Sequence, residues 1–233
     1  MLPAVPEVPR YEFASVYRPA EHVSGDFYDI VPLGGERYGM LMGDISGHGV
    51  EAAIVMGSAR KAIQIYARSG EAPSTVLSWA NDDLGRELDR ETFLTAGYAI
   101  LDTVSDSILC VRAGHTHPIL TGPGPDEWRV VKSNGMMIGN AKGDLFTRSL
   151  EEVDLALEAG QSFILYTDGI IEARERGGDL FGVDRLIEHL AGEVGFGRSL
   201  GETLDSLVHE LTVWTGDVPQ EDDISILAVR RNA

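Results

Sequence analysis

The chain has 233 residues, 43% of them hydrophobic, and 37 acidic against 19 basic side chains give it a formal net charge of -18. That leaves enough apolar material for a sizeable core, no Lys/Arg-rich stripe to engage a nucleic-acid backbone, and no run near the roughly 20 apolar residues that span a membrane. A single cysteine excludes an internal disulfide framework, and without a secretory leader pattern the expected setting is the cytoplasm.

Residues 1–10 (MLPAVPEVPR) carry prolines without apolar periodicity and read as an extended lead-in, with 11–233 as one domain. Glu12–Arg18 alternates as a short strand. Phe27–Leu33 and Tyr38–Ile45 follow as strands joined at Gly34-Gly35, a hairpin signal. The period then changes. Ala52, Val55, Met56, Ala59, Ala62, Ile63 and Tyr66 recur at three- and four-residue steps, as on an amphipathic helix reaching Arg68. Pro73 opens a second helix with Val76, Leu77, Ala80, Leu84 and Leu88 on one face.

Strands are expected at Thr92–Leu101, Ser107–Ala113, Pro118–Thr121, Trp128–Lys132, Leu145–Asp154 and Ser162–Thr167. The apolar run Phe163–Tyr166 fits a strand covered on both faces. A helix around Val183–Ala191 comes next, then one opened by a Ser199/Glu202 capping box, then a final buried strand at Ile224–Val229. This order predicts an α+β fold in which two sheets lie between helical layers.

Five aspartates stand at the edges of these apolar runs: Asp26 in SGDFYD, Asp44 in GDISGHG, Asp168 in LYTDG, and Asp222 and Asp223 in EDDISILAV. Carboxylates at the ends of buried strands repel one another and resist desolvation unless a cation joins them. Every candidate is an oxygen donor, including the Ile45 carbonyl beside Asp44, which selects Mg²⁺ or Mn²⁺ over zinc. Asp29, three residues from Asp26 on a strand, points to the other face and is expected to make a structural hydrogen bond or face solvent. Adjacent Asp222 and Asp223 diverge, so only one can be a direct ligand. His48 is read as bonding its turn, with proton donation to a leaving group as the alternative. His115 and His117 are read as structural, and Met136 and Met137 as core. A cysteine phosphatase would need an arginine six residues after Cys110, where Thr116 stands, so Cys110 reads as core as well.

In this order SGDFYD, GDISGHG, AGHTHP, LYTDGIIEAR, Phe181-Gly182 and DDISILAV resemble the bacterial stage-II-sporulation-protein-E-like branch of the metal-dependent (type 2C) protein serine/threonine phosphatases. The likeness runs from Tyr11 to Val229. It implies a four-layer αββα sandwich, two mainly antiparallel sheets flanked by helices, holding two divalent cations, Mn²⁺ or Mg²⁺. Carried over position by position, Asp44 would bridge both metals, the Ile45 carbonyl would bind the first, and Asp26, Asp168 and Asp222 the second, with Asp223 as alternate. Arg18 is the nearest arginine to the one that holds substrate phosphate in animal relatives, and His48 the nearest candidate acid. The implied activity is hydrolysis of a phosphoserine or phosphothreonine protein by a metal-activated water, the substrate being a phosphorylated anti-sigma-factor antagonist. The implied partners are that phosphoprotein, a regulatory domain upstream of Met1 and a second copy of the chain, with neither nucleic acid nor membrane. Two readings compete: a non-catalytic phosphoprotein-binding module of the same fold, and a two-metal hydrolase of a small phosphoester.

Overall fold

The structure is a computed structural model and describes residues 5–47, 49–86, 88, 92–124, 127–193 and 198–232. The chain forms two compact units, and each draws on separate stretches of sequence. One contains residues 21–117 and 132–156, the other residues 5–20, 118–131 and 157–233.

In the first unit, strands β2 (Phe27–Gly34), β3 (Arg37–Ile45), β4 (Leu94–Asp102), β5 (Ser107–Ala113) and β8 (Val153–Ala156) make an antiparallel sheet in the order β2-β3-β4-β5-β8. The β2–β3 hairpin closes with Gly34 opposite Arg37. Its two turn residues are Gly35 and Glu36, one position later than the glycine pair suggests, and both have positive φ (59° and 61°), as a tight hairpin demands. Helices α1 (Gly49–Ala67) and α2 (Pro73–Leu84) supply the apolar face that covers this unit's core. Ile63 and Leu77 are buried there with Leu41, Tyr98 and Phe146. On its other face α1 leaves Val50, Ile54 and Ile65 exposed. Helix α2 stops at Leu84, where the Gly85 N–H still bonds to the Asn81 carbonyl, yet Leu88 packs on the same core.

Two expectations are corrected in this unit. Residues 145–154 are not one strand: a short helix, α3 (Asp144–Ser149), precedes β8. The Thr147 N–H closes on the Gly143 carbonyl, and only Phe146 turns inward while Leu145 stays exposed, so the segment buries one helical face rather than alternate residues. Met136 is exposed rather than core, and Met137 lies against Gly114. Cys110 is buried on β5, with Ala99 and Val153 as its ladder neighbours.

The second unit is built on strands β1 (Tyr11–Arg18), β6 (Ile119–Thr121), β7 (Trp128–Val130), β9 (Ser162–Tyr166) and β10 (Ile224–Arg231), in the antiparallel order β1-β10-β9-β6-β7. Val229 of β10, which lies between β1 and β9, pairs with Phe13 on one side and Phe163 on the other. All five residues of β9 are buried, as its unbroken apolar run predicts. Helices α4 (Asp168–Ile171), α5 (Gly182–Glu193) and α6 (Leu200–Thr215) complete the unit, with Phe181, Leu190 and Leu204 packed against Ile164 and Ile226. The capping box at the start of α6 is formed: the Glu202 N–H donates to Ser199 Oγ, and the Ser199 N–H donates to Glu202 Oε2 at 2.8 Å. Each unit is thus an antiparallel sheet with its own helices, the α+β class the element order predicts. Among the described residues no helix is long and apolar enough to cross a membrane.

Candidate metal centre

The first unit holds Asp26 and Asp44. The β2–β3 register pairs Phe27 with Gly43 and continues outward, since the Ile45 N–H donates to the Gly25 carbonyl at 3.3 Å. Asp26 and Asp44 therefore stand at the same end of this hairpin. Asp26 is only 2% exposed, and its N–H donates to Ser24 Oγ at 3.0 Å, a local turn that leads the chain into β2. A Cβ on Gly25 would come within 2.9 Å of the Ile45 carbonyl oxygen and 3.5 Å of Asp44 Oδ1. Glycine here keeps a side chain at position 25 from crowding those two oxygens. Asp29 does not join them. Its buried carboxylate accepts from Arg60 Nε at 3.0 Å and Gln64 Nε2 at 3.2 Å, both on α1, and from the Ile30 N–H at 2.9 Å. This is the structural role that strand geometry allows for it.

The second unit holds Asp168, Asp222 and Asp223. Strands β9 and β10 are stitched past their last ladder pair, where the Thr167 N–H donates to the Ser225 carbonyl at 3.0 Å and the Ser225 N–H returns to Thr167 Oγ1 at 3.0 Å. Asp168 then opens α4 directly beside the segment that leads into β10. A side chain on Gly169 would land on the Asp223 carbonyl oxygen, so only glycine lets the first turn of α4 lie on that backbone. Burial pushes the Asp168 carboxyl above the usual carboxylate range, and the nearby Glu172 charge adds to the shift. Burial does the same to Asp222, with the Asp168 and Asp223 charges adding to it and the Asp223 N–H opposing it. Asp223 faces elsewhere: its Oδ1 accepts from the Ala20 N–H at 2.8 Å, tying the end of β1 to the start of β10. Gln220 reinforces that tie by donating from Nε2 to the Arg18 and Asp222 carbonyls, each at 2.8 Å. Arg18 sits opposite Ile224 at the end of β1 with an exposed side chain. His48 lies outside the described residues.

The donors fit a hard cation in their chemistry: every one is an oxygen, and two of the carboxyls are desolvated next to like charge. Among the described residues, no group of three or more His, Cys, Asp or Glu side chains is gathered as a metal cluster. Asp26 and Asp44 belong to the first unit, and Asp168, Asp222 and Asp223 to the second. Sequence reasoning did not single out Gln220, Ala20 or Thr95, the residue across from Asp44 on β4. A strand register was the only signal that could have found Thr95.

Residues 34–232 match the profile of the family described as Stage II sporulation protein E (SpoIIE). The chain belongs to that family. This SpoIIE-family chain is 27% identical over 256 residues to Protein IcfG of Synechocystis sp., covering 98% of its own length and 39% of that protein. It is 24% identical over 230 residues to phosphoserine phosphatase RsbU of Bacillus subtilis, covering 97% of itself and 65% of RsbU. It thus spans less than two thirds of either relative. Among solved structures, the SiaA-PP2C domain of Pseudomonas aeruginosa matches with a TM-score of 0.80 and 26% identity, over 94% of this chain and 85% of that one. The fold is that of a type 2C phosphatase domain, as the motif order implied.

Proposed function

We propose that the chain is a metal-dependent protein serine/threonine phosphatase. The observation that carries this reading is Asp168 beside Asp222 at one end of β9 and β10, two carboxyls raised chiefly by lost hydration, with the Glu172 charge adding at Asp168 and the Asp168 and Asp223 charges adding at Asp222. Buried like charges of this kind are relieved most simply by a cation. Membership of a metal-dependent phosphatase family supports the same conclusion.

Under this reading Asp44, the Ile45 carbonyl, Asp26, Asp168 and Asp222 would hold two divalent cations, Mn²⁺ or Mg²⁺. Such a pair would supply an acidified water as nucleophile and would offset charge on the phosphoryl oxygens. The protein's part is to fix the oxygens. Gly25 spares the Ile45 carbonyl and Asp44 Oδ1 the crowding of a side chain, the Ser24 turn sets Asp26, and the α4 turn sets Asp168. Asp222 is preferred to Asp223 as the last ligand because the family resemblance points to the first residue of the pair, and the bond that ties Asp223 Oδ1 to the distant Ala20 N–H supports that choice. Arg18 and His48 stay as candidates for phosphate contact and leaving-group protonation.

The substrate class is a phosphoserine or phosphothreonine protein, a phosphorylated anti-sigma-factor antagonist in a cytoplasmic sigma-factor stress response. The likeness to RsbU, described as a phosphoserine phosphatase, supports the phosphoserine part of this reading. On the same reading residues 11–233 are the phosphatase domain, 1–10 lead in from a regulatory segment, and the chain works with that segment or as a homodimer. The test is phosphate release from a phosphoserine protein during Mn²⁺ titration, comparing wild type with Asp44→Ala. Release should require Mn²⁺, stop with chelator and fall to background in the variant. Chelator-resistant release, or full activity in Asp44→Ala, would refute it.

A further inference from the structure

Asp44 pairs with Thr95 across the β3–β4 ladder. Directly opposed residues project on the same face of a sheet, with Cβ atoms about 4.5–5.5 Å apart. The Thr95 hydroxyl is in turn 2.8 Å from His115 Nδ1. His115 is only 4% exposed, an unusual place for an imidazole that merely fills space.

The fold brings it there deliberately. At the end of β5, Gly114 takes a φ of 72° and forms a parallel bridge with Ala96, the residue after Thr95. A side chain at Gly114 would collide with Met137, and its N–H is fixed by the Gly135 carbonyl at 3.0 Å. Arg112 then clamps the segment, donating from Nη1 to the His115 carbonyl at 2.7 Å and from Nε to the Ser133 carbonyl at 3.1 Å. The turn, the bridge and the clamp together set the imidazole against one hydroxyl, the one beside Asp44.

We propose that His115 is a positioning residue for Asp44 and acts through Thr95, an inference that rests on Asp44 being a metal ligand. With its proton on Nδ1, the imidazole donates to Thr95 Oγ1. That bond fixes the hydroxyl and leaves its own proton for the Asp44 carboxylate. A carboxylate held in this way binds a cation with less reorganisation, and partners one step removed from a metal commonly change its affinity 10–100-fold.

The test measures Mn²⁺ binding to the whole chain from the spin-resonance signal of free Mn²⁺, alongside urea unfolding of the metal-free protein. Thr95→Val and His115→Leu should each weaken Mn²⁺ binding about 10-fold, and the double variant should be no worse than either. Thr95→Ser and His115→Asn, whose amide N–H stands where Nδ1–H was, should restore binding. Asp44→Asn is the reference. If it binds Mn²⁺ like wild type, the metal reading itself is wrong. If it loses Mn²⁺ while Thr95→Val and His115→Leu bind normally, or if His115→Asn and Thr95→Ser fail to restore binding, this inference alone is overturned. Should His115→Leu not fold, the Thr95→Val and Thr95→Ser pair decides.

Discussion

Arg60→Met tests how the first unit is fastened. The Asp29 carboxylate is 2% exposed and relies on Arg60 Nε at 3.0 Å, with weaker help from Gln64 and the Ile30 N–H. Breaking a buried ion pair by removing one partner costs about 3–5 kcal/mol, because the other charge stays buried alone. Arg60 keeps 25% of its side chain in water, and two donors to Asp29 survive its loss. The expected cost is therefore smaller, about 2–3 kcal/mol. For a chain of this size each kcal/mol lowers the melting temperature by about 2–4 °C, so a fall of about 4–12 °C is expected. Urea unfolding should show a lower midpoint at unchanged slope. The double variant Asp29→Asn/Arg60→Met, which removes the stranded charge, should be more stable than Arg60→Met alone. A cost under about 0.5 kcal/mol, the scale of an exposed pair, would refute the reasoning, as would simple additivity in the cycle.

Three further outcomes are expected. Gly169→Ala should cut phosphate release and Mn²⁺ binding together, since its methyl group meets the Asp223 carbonyl and must push α4 away from the Asp222 segment; normal Mn²⁺ binding in that variant would show the two segments to be independent. Asp168 and Asp222 have folded pKa values above the ordinary 3.8, so the native state holds their protons more tightly than the unfolded chain does. Their penalty is absent below that value and complete above the raised ones. Metal-free stability should thus drop as pH rises through this window, and less so in Asp168→Asn/Asp222→Asn; equal drops in urea midpoints across pH would count against it. Ser199→Ala should cost about 1 kcal/mol in thermal melts by removing the α6 cap, with phosphate release retained.

Much of the fold could be read from periodicity because most elements bury one continuous face. The β9 run and the α1 spacing are the clearest cases. Segments 144–149 and 168–171 escaped for one reason: a helix of one or two turns has too few residues to display a period, and Leu145 lies exposed beside buried Phe146. The aspartates were visible as a set, and alternation already separated Asp29 from Asp26. What alternation could not supply was a partner distant in sequence. Asp222 and Asp223 are equivalent in composition, the motif resemblance ranks them only by order, and the bond from Ala20 to Asp223, 203 residues away, is a difference no local pattern could show. Likewise, Thr95 became interesting only once the ladder register set it across from Asp44.

The burial of Cys110 gives the chain an internal clock. It is the only thiol present, and it is shut in under the β5–β8 pairing, with Sγ donating to the Val153 carbonyl at 3.6 Å. A reagent that attacks thiolates can reach it only when this edge of the sheet lets go. The rate of labelling therefore counts openings of β8 in the unmodified protein, with no dye or substitution introduced. Run with and without Mn²⁺, the same measurement tells whether adding the ion changes how often this edge of the sheet opens.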